Sequence, residues 1–389
     1  MQKLLIVADD LTGALDTGVQ LAQLGFGACV TPYTAPLPDA EVAIVNTQSR
    51  HIAPHIAFTR VQNAVLGAVE QGYNCFYKKT DSLLRGNTGT EIEAVLSATN
   101  CKQAFFVPAY PKIGRTTVLG HQYANGLPIH QTPAAQDAQN PVRTANITDI
   151  LRDTTDAPVF CVPVGGAMLN DDGIVIFDAQ TQQYLEALAT KLQNKTAVFA
   201  GCAGFAPYLH RVFALSAEAK HTPVLCKPEH VLTVCGSLHP ASRRQIEVAQ
   251  AAGVPAIEIS VEELRMGALK TAKQQQAASF LNAQNLILYT TSAMVVSLSA
   301  NFAAQSLAGI VKAIASRSTA LCVFGGDTAE AVFAALDIGA VYPLYEFAGG
   351  IPVCAAYNTA GQSRTVITKA GSFGAEDTII MLHKHILGG

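Results

Sequence analysis

Short apolar, β-rich runs alternate with helical stretches along most of the chain. In the first half, the predicted strands lie near Lys3–Ala8, Val42–Asn46, Cys75–Lys78 and Ala104–Val107, and the predicted helices near Gly13–Gly25, Ala53–Gln71 and Asn87–Thr99. Strands that alternate with helices in this way are typical of a parallel sheet whose strands are joined by crossover helices. We therefore expect an α/β protein whose sheets are mainly parallel and flanked by helices.

The alternation is interrupted twice. Residues Pro108–Pro141 are rich in Gly, Pro, Thr and Asn and lack a helical period, which predicts a long ordered loop or a hairpin excursion. Between residues 216 and 230 the apolar period is lost and two prolines occur, so we expect two domains, at 1–220 and 231–389. The remaining strands are predicted near Pro158–Val162, Ile174–Phe177, Ala197–Ala200, Val231–Cys235, Ala256–Ile259, Leu286–Tyr289 and Ala320–Phe324, with helices near Thr181–Gln193, from Pro240 onward and near Ala375–Ile386.

The composition narrows the class of protein. With 49% hydrophobic and 14% charged residues, the chain is too apolar for a disordered protein. Lys and Arg number 26 against 29 Asp and Glu, so no overall positive field attracts nucleic acid or an anionic membrane, and any anion must be bound locally. Nine cysteines without CxxC spacing favour reduced thiols, and no apolar run reaches the roughly 18 residues of a membrane span. We expect a cytoplasmic protein.

Two acidic residues, Asp9 and Asp10, directly follow the first predicted strand. Open α/β sheets bind ligands outside the carboxyl ends of their strands. A helix cap would account for one of Asp9, Asp10 and Thr12, but two adjacent acids exceed that need. A carboxylate here is suited to hold substrate hydroxyls, or to accept a hydroxyl proton during phosphoryl transfer.

A second polar cluster follows the strand predicted at Cys75–Lys78. Its members are Lys79, Thr80, Asp81, Ser82 and Arg85. The two cations suit a carboxylate and the acid and serine suit alcohols, which together favour a polyhydroxy acid, with a solvated turn as the alternative. Arg50 adds a third polar cluster at the same edge. Lys112 and Arg115 lie in the Pro/Gly-rich excursion, and two interpretations are open for them: they face a substrate, or they belong to a stiff structural loop.

Three glycine turns precede helices in the second half. They are Gly236-Ser237, Gly325-Gly326-Asp327-Thr328 and Gly371-Ser372-Phe373-Gly374. Backbone N–H groups at helix starts bind phosphate, and although each turn alone is more often only a turn, three together indicate a nucleotide site. The Walker, GxGxxG, HExxH and GxSxG motifs are missing from the sequence, which argues against P-loop, dinucleotide, zinc and hydrolase sites. Neither His51 with His55 nor His383 with His385 is expected to bind a metal.

Five motifs in order along the chain resemble those of the four-carbon acid sugar kinase family. They are ADDLTGALDTG (Ala8–Gly18), KKTDSLLRGNTG (Lys78–Gly89), PAYPKIGRTT (Pro108–Thr117), GGDTAEAV (Gly325–Val332) and AGSFGAEDTI (Ala370–Ile379). The resemblance implies two α/β domains with the active site in the cleft between them, the first domain for a sugar acid and the second for ATP. It also implies phosphorylation of the terminal hydroxyl of a threonate, an erythronate or an oxo-tetronate.

Site residues are carried over from this resemblance position by position. The residues that resemble the substrate site are Asp10, Arg50, Lys79, Thr80, Asp81, Ser82 and Arg85. The residues that resemble the ATP site are Ser237, Gly325, Gly326, Asp327, Thr328, Gly371 and Gly374. The KTDS-x-LRG form looks more like the threonate and erythronate kinases than like the oxo-tetronate branch. The expected cofactors are ATP and Mg²⁺, with metal ligands unassigned.

The mechanistic hypothesis combines resemblance and residue chemistry. Arg50 or Arg85 with Lys79 holds the substrate carboxylate, Asp10 or Asp81 binds hydroxyls, and Asp10 is the candidate base. The alternatives are a 3-oxo-tetronate 4-kinase, another sugar-acid or polyol kinase, a non-catalytic sugar-acid sensor, and an oxidoreductase, which the missing GxGxxG disfavours. The expected partners are the sugar acid and ATP, without nucleic acid or membrane, and the chain is a candidate homo-oligomer.

Overall fold

The computed structural model describes residues 2–137, 139–169, 171–217, 223, 225–290, 299–315 and 319–388. It separates into two compact units, Met1–His221 and Thr222–Gly389. Each unit is built on a sheet with mainly parallel strands, so the expected α/β class is confirmed.

The first unit begins with a strand and alternates strands with helices. Its strands are β1 Leu4–Ala8, β2 Ala28–Pro32, β3 Val42–Asn46, β4 Cys75–Lys79, β5 Gln103–Val107, β6 Arg115–Val118, β7 His121–Ala124, β8 Leu127–Pro128, β9 Val159–Val162, β10 Gly173–Phe177 and β11 Val198–Gly201. Its helices are α1 Leu11–Ala22, α2 Pro54–Glu70, α3 Thr88–Thr99, α4 Ile147–Arg152, α5 Gln182–Leu192 and α6 Leu209–Val212. Strand β2 and helices α4 and α6 were not predicted from the sequence.

The order of the parallel strands in this unit is β2-β3-β1-β4-β11-β5-β10-β9. After β1 the chain builds β2 and β3 on one side and then crosses to place β4 on the other side. The carboxyl ends of β1 and β4 therefore flank a topological switch point, where open α/β sheets bind ligands. All five residues of β1 are buried, so both faces of the sheet are covered at this point.

The excursion Pro108–Pro141 contains β6, β7 and β8, which pair antiparallel in a separate sheet. Gln122 of β7 fastens this sheet to the main one, because its amide donates hydrogen bonds to the carbonyls of Ser82 and Pro108, each at 3.1 Å. The sequence predicts a long ordered loop or a hairpin excursion for this segment, and the structure shows the hairpin.

The second unit contains its own set of strands and helices. Its strands are β12 His230–Cys235, β13 Ala256–Glu258, β14 Leu286–Tyr289, β15 Thr319–Phe324, β16 Ile338–Ala348, β17 Ile351–Asn358 and β18 Ser363–Lys369. Its helices are α7 Pro240–Ala251, α8 Val261–Met266, α9 Thr271–Leu281, α10 Ala300–Ile314, α11 Gly326–Ala335 and α12 Thr378–Leu387. Strands β13-β14-β12-β15-β18 are parallel, and β17 and β16 continue the sheet antiparallel.

The strands β16, β17 and β18 were not predicted, although Gly349-Gly350 between β16 and β17 is a turn signal. Gly350 has φ of +72°, and a Cβ there would overlap the ring of Phe373. The final helix starts at Thr378, three residues after the predicted start, and the amide and hydroxyl of Thr378 donate to the carbonyl of Ala375 in the preceding turn. Within the described residues, no helix is both long and apolar enough to cross a membrane.

His383 on α12 gives the second unit a pH-dependent stability. Its ring hydrogen-bonds the Thr233 hydroxyl at 2.8 Å, and burial lowers its pKa from 6.5 to about 4. The unfolded chain binds this proton near pH 6.5 and the folded chain only near pH 4, so stability is lost as the pH falls through this window. We expect a loss of on the order of 3 kcal/mol.

Urea unfolding at pH 7 and pH 4.5 checks this expectation. His383→Gln, which has no proton to gain, should lose less stability between the two pH values than the wild type. His55→Gln, at an exposed position, should lose as much as the wild type. An identical loss in the His383→Gln variant would contradict the assignment.

Candidate functional site

Three neighbouring strands bring the first set of candidate residues together. Ala8 at the end of β1 pairs with Asn46 of β3 on one side and with Lys79 of β4 on the other. The segments that follow these strands carry Asp9 and Asp10, Arg50, and the residues Lys79–Arg85. The structure thus brings all the predicted substrate-site residues to one edge of the first unit.

Arg50 holds both acids that follow β1. Its Nε donates to Asp9 at 2.7 Å, and its Nη1 and Nη2 contact the two oxygens of Asp10 at 2.9 and 2.7 Å. Asp10 also caps α1 by accepting the Gly13 amide at 3.0 Å. Burial opposes the charge on Asp9, but Arg50, Lys78 and Lys79 together keep its pKa below the ordinary value. The capping role and the proposed site role therefore coexist in Asp10.

Arg85 makes a similar contact with Asp81. Its Nε and Nη2 bind the two carboxylate oxygens of Asp81 at 2.7 and 3.1 Å, and its Nη1 contacts Asp137 of the excursion at 3.1 Å. Arg50 lies 4.0 Å from Asp81 and links the two groups. Although burial raises the pKa of Asp81, Arg85 and Arg50 lower it far below the ordinary value.

Both arginines are thus occupied by carboxylates of the protein itself. This geometry suits them to orient the acids of the site more than to bind a substrate carboxylate. Asp137 was not predicted as a site residue, and no local signal marks it, because its contact with Arg85 joins residues 52 positions apart.

Lys79 lies beside the start of α1. It is only 4% exposed, and its Nζ donates to the carbonyl of Thr80 at 2.7 Å. A Cβ at Gly13 would lie 2.6 Å from this Nζ and 2.5 Å from an oxygen of Asp10, so Gly13 keeps the space between them open. Among the described residues, the buried hydroxyl of Thr80 has no hydrogen-bond partner. A lysine and a carboxylate therefore converge on the space beside Gly13.

Residues of the excursion approach the same edge. Arg115 donates to the Ile113 carbonyl at 3.1 Å, and burial lowers its pKa while the nearby Asp81 opposes this shift. Lys112 is exposed, and Ser82 is half-buried. Arg115 is therefore an excursion cation within electrostatic reach of the cluster.

In the second unit, the three glycine turns follow three neighbouring strands. Cys235 of β12 pairs with Phe324 of β15, which in turn pairs with Lys369 of β18. After β12 the chain builds β13 and β14 on one side, and then crosses to β15 on the other. The turns at Gly236 and Gly325 therefore flank the switch point of this sheet.

The glycine turns pack so closely that side chains are excluded. A Cβ at Gly236 would overlap the hydroxyl of Thr328, and one at Gly371 would overlap the hydroxyl of Ser237. Gly325 caps α11 with φ of +109°, a backbone conformation that favours glycine. The amides of the first turn of α11 have no partner within the helix, so this cradle is suited to an anion.

Gly374, Asp327 and Ser237 occupy the rim of this cradle. Gly374 has φ of +85° and its carbonyl accepts a hydrogen bond from Gln245 at 3.0 Å. Asp327 lies in the first turn of α11, and the Ser237 hydroxyl accepts the amide of His239 at 3.2 Å. The seven predicted ATP-site residues thus lie either in the turns that follow adjacent strands or in the first turn of α11.

Where the chain is described, no group of three His, Cys, Asp or Glu side chains is arranged to hold a metal ion. His383 bonds Thr233, and His385 bonds the Tyr345 hydroxyl at 3.0 Å.

Comparison with known proteins agrees with this arrangement. A family model described as a sugar-binding N-terminal domain matches residues 4–209, and one described as a nucleotide-binding C-terminal domain matches residues 232–379. A protein of known structure from Salmonella typhimurium LT2 has a TM-score of 0.80 at 18% identity, and covers 99% of this chain and 100% of that one. This likeness shows the shared fold.

Curated relatives carry names from one group of enzymes. A D-threonate kinase of Salmonella typhimurium is 30% identical to this chain, and the match covers 97% of this chain and 96% of the relative. A D-erythronate kinase of Heliobacterium modesticaldum is 30% identical over 64% of this chain and 61% of the relative. A 3-oxo-tetronate kinase of Methylobacterium radiotolerans is 27% identical over 95% of this chain and 96% of the relative. The chain belongs to the four-carbon acid sugar kinase family.

Proposed function

We propose that the protein is an ATP-dependent kinase that phosphorylates the terminal hydroxyl of D-threonate or D-erythronate. The observation that carries the proposal is that each unit has a different candidate site at the switch point of its strands. One site is lined by acids and a buried lysine, and the other by glycine turns that exclude side chains. The D-threonate kinase relative that spans nearly the whole chain supports this choice of substrate.

The first site supplies groups for a hydroxylated acid. We propose that Lys79 attracts the substrate carboxylate, since among the described residues its Nζ donates to the Thr80 carbonyl and an ammonium group has three hydrogen atoms to donate. The carboxylates of Asp10 and Asp81 accept hydrogen bonds from substrate hydroxyls. Arg50 and Arg85 hold these acids charged and in place, so little reorganisation is needed when substrate binds.

The second site supplies groups for ATP. Gly236 and Gly371 let their turns pack against Thr328 and Ser237, and we propose that the N–H groups at the start of α11 bind the phosphates. Mg²⁺ is usually bound by one or two carboxylates and by substrate phosphates, so we propose that it is held with the nucleotide, with Asp327 as the protein carboxylate. Bound there, the ion would offset the negative charge on the phosphates.

The proposed reaction is a direct transfer. The oxygen of the terminal hydroxyl forms a bond to the γ-phosphorus of ATP, the bond from this phosphorus to the bridging oxygen breaks, and ADP leaves. We propose that Asp10 accepts the hydroxyl proton, because it follows β1 at the switch point and is more exposed than Asp9.

The proposal is tested by measuring ADP release from Mg-ATP with D- and L-threonate, D- and L-erythronate and 3-oxo-tetronates, against a blank without acid. Turnover with D-threonate or D-erythronate supports it. Turnover only with a 3-oxo-tetronate would move the protein to that branch of the family. Sugar-acid binding without any ADP release would indicate a sensor and refute the kinase proposal.

A further inference from the structure

A lysine that the sequence analysis did not single out lies beneath the nucleotide cradle. Lys369 is the last residue of β18 and is 0% exposed. Lysines are rarely buried without a compensating partner. Among the residues that the structure describes, no carboxylate forms an ion pair with Lys369, so its charge is balanced in another way.

The partners of Lys369 are the carbonyls of the turn that follows it. Its Nζ lies 2.9 Å from the carbonyl oxygen of Phe373, 3.0 Å from that of Ala370 and 3.4 Å from that of Gly371. The Ser242 hydroxyl of α7 lies 3.3 Å away and donates to the same Gly371 carbonyl at 2.8 Å. The ammonium group thus draws the carbonyls of one turn toward a single point.

Gln245, one turn further along α7, extends this pattern. Its side-chain Nε2 lies 2.9 to 3.0 Å from the carbonyl oxygens of Phe373, Gly374 and Ala375, which share its two hydrogen atoms. In a trans peptide, the N–H of the next residue points opposite to the carbonyl. The N–H groups of Gly371, Ser372 and Gly374 therefore point away from Lys369, and they donate no hydrogen bond to any described residue.

We infer that Lys369 is a positioning residue of the nucleotide site, whose ammonium group gathers the turn carbonyls and so aims the opposite N–H groups at bound phosphate. The inference rests on the proposed ATP-dependent function. Lys369 acts through the turn and does not touch the nucleotide, because its hydrogen-bonding directions are filled by the protein. Its charge also adds a positive potential beneath the cradle.

The environment of Lys369 provides a pH readout. Burial lowers the pKa of Lys369 to about 8, and the thiols that face it are Cys235 and Cys322. Burial raises the pKa of both thiols, that of Cys322 to about 12, and lowers the pKa of the nearby His239. These three groups therefore do not titrate near pH 8. Loss of the Lys369 proton above pH 8 should weaken binding of Mg-ATP.

The test is calorimetric titration of Mg-ATP into the wild type, Lys369→Met and the control Lys384→Met, which changes an exposed lysine on α12. We expect about tenfold weaker binding for Lys369→Met and an equal rise in the KM for ATP, with the KM for the sugar acid unchanged. The wild type should lose affinity between pH 7 and pH 9, and Lys369→Met should not.

The outcomes separate this inference from the proposed function. Equal affinity for Mg-ATP in the wild type and Lys369→Met, with no change across pH 8, would overturn the positioning role alone. A wild type that binds no Mg-ATP would overturn the kinase proposal as well. If Lys369→Met does not fold, Ser242→Ala and the wild-type pH profile decide, since Ser242→Ala removes only one contact of the ammonium group and should weaken binding severalfold.

Discussion

Replacing Asp10 by Asn should lower kcat by about 10²-fold to 10⁴-fold, while the KM for the sugar acid changes little. The amide cannot accept the proton of the substrate hydroxyl, which is the role proposed for this carboxylate. The measurement is ADP release from Mg-ATP at saturating sugar acid. Full turnover of Asp10→Asn would remove Asp10 as the base.

The fold should tolerate this change. Asn is as good a helix cap as Asp, so the hydrogen bond from Gly13 at the start of α1 has a replacement acceptor. Arg50 keeps its 2.7 Å contact with Asp9. Asp39→Asn is the matched control, because the side chain of Asp39 is 89% exposed and pairs with Lys3 at the surface. This control should keep wild-type kcat.

Replacing Glu91 by Gln should lower the free energy of unfolding by about 3 to 5 kcal/mol. Glu91 of α3 lies 2.7 Å from Lys78 of β4, and the two side chains are 2% and 0% exposed. The substitution leaves the Lys78 ammonium without its counter-charge inside the first unit, where water cannot solvate it. Urea unfolding at pH 7 gives the change in free energy.

A double replacement separates the cost of an unpaired charge from the value of the pair. Lys78→Met with Glu91→Leu removes both charges and keeps apolar volume, so most of the lost stability should return. Lys102→Met breaks a surface pair with Asp172, in which the side chains are 79% and 70% exposed, and should leave the unfolding midpoint unchanged. Wild-type stability of Glu91→Gln would contradict the burial argument.

The residue types of the first site predicted its chemistry, but they did not predict the partners of its two arginines. Mixed charge after β4 predicted a site for a hydroxylated acid, and Arg50 or Arg85, together with Lys79, was assigned to its carboxylate. In the structure both guanidiniums contact protein carboxylates at 2.7 Å. Sequence spacing does not show this, because Arg50 lies about 40 residues from Asp9 and Asp10 along the chain. Only the sheet order places them side by side.

The sequence by itself determined most of the parallel strands and the location of the chemistry. Alternating apolar runs placed Val42–Asn46 and Leu286–Tyr289 as the structure has them, because strands buried on both faces carry a continuous apolar signal. The polar and glycine-rich segments after strands marked both candidate sites, since open α/β sheets bind ligands at strand ends. The motifs in these segments also identified the family.

The tertiary structure alone decided which strand ends become neighbours and which buried charges are paired. The strand order puts β4 beside β1 and β18 beside β15, and so assembles each site from segments far apart in sequence. The same order buries Lys78 against Glu91 and encloses Lys369 among carbonyls. The physical reason is that local periodicity reports whether a residue is buried, whereas its partner depends on long-range pairing that no local pattern encodes.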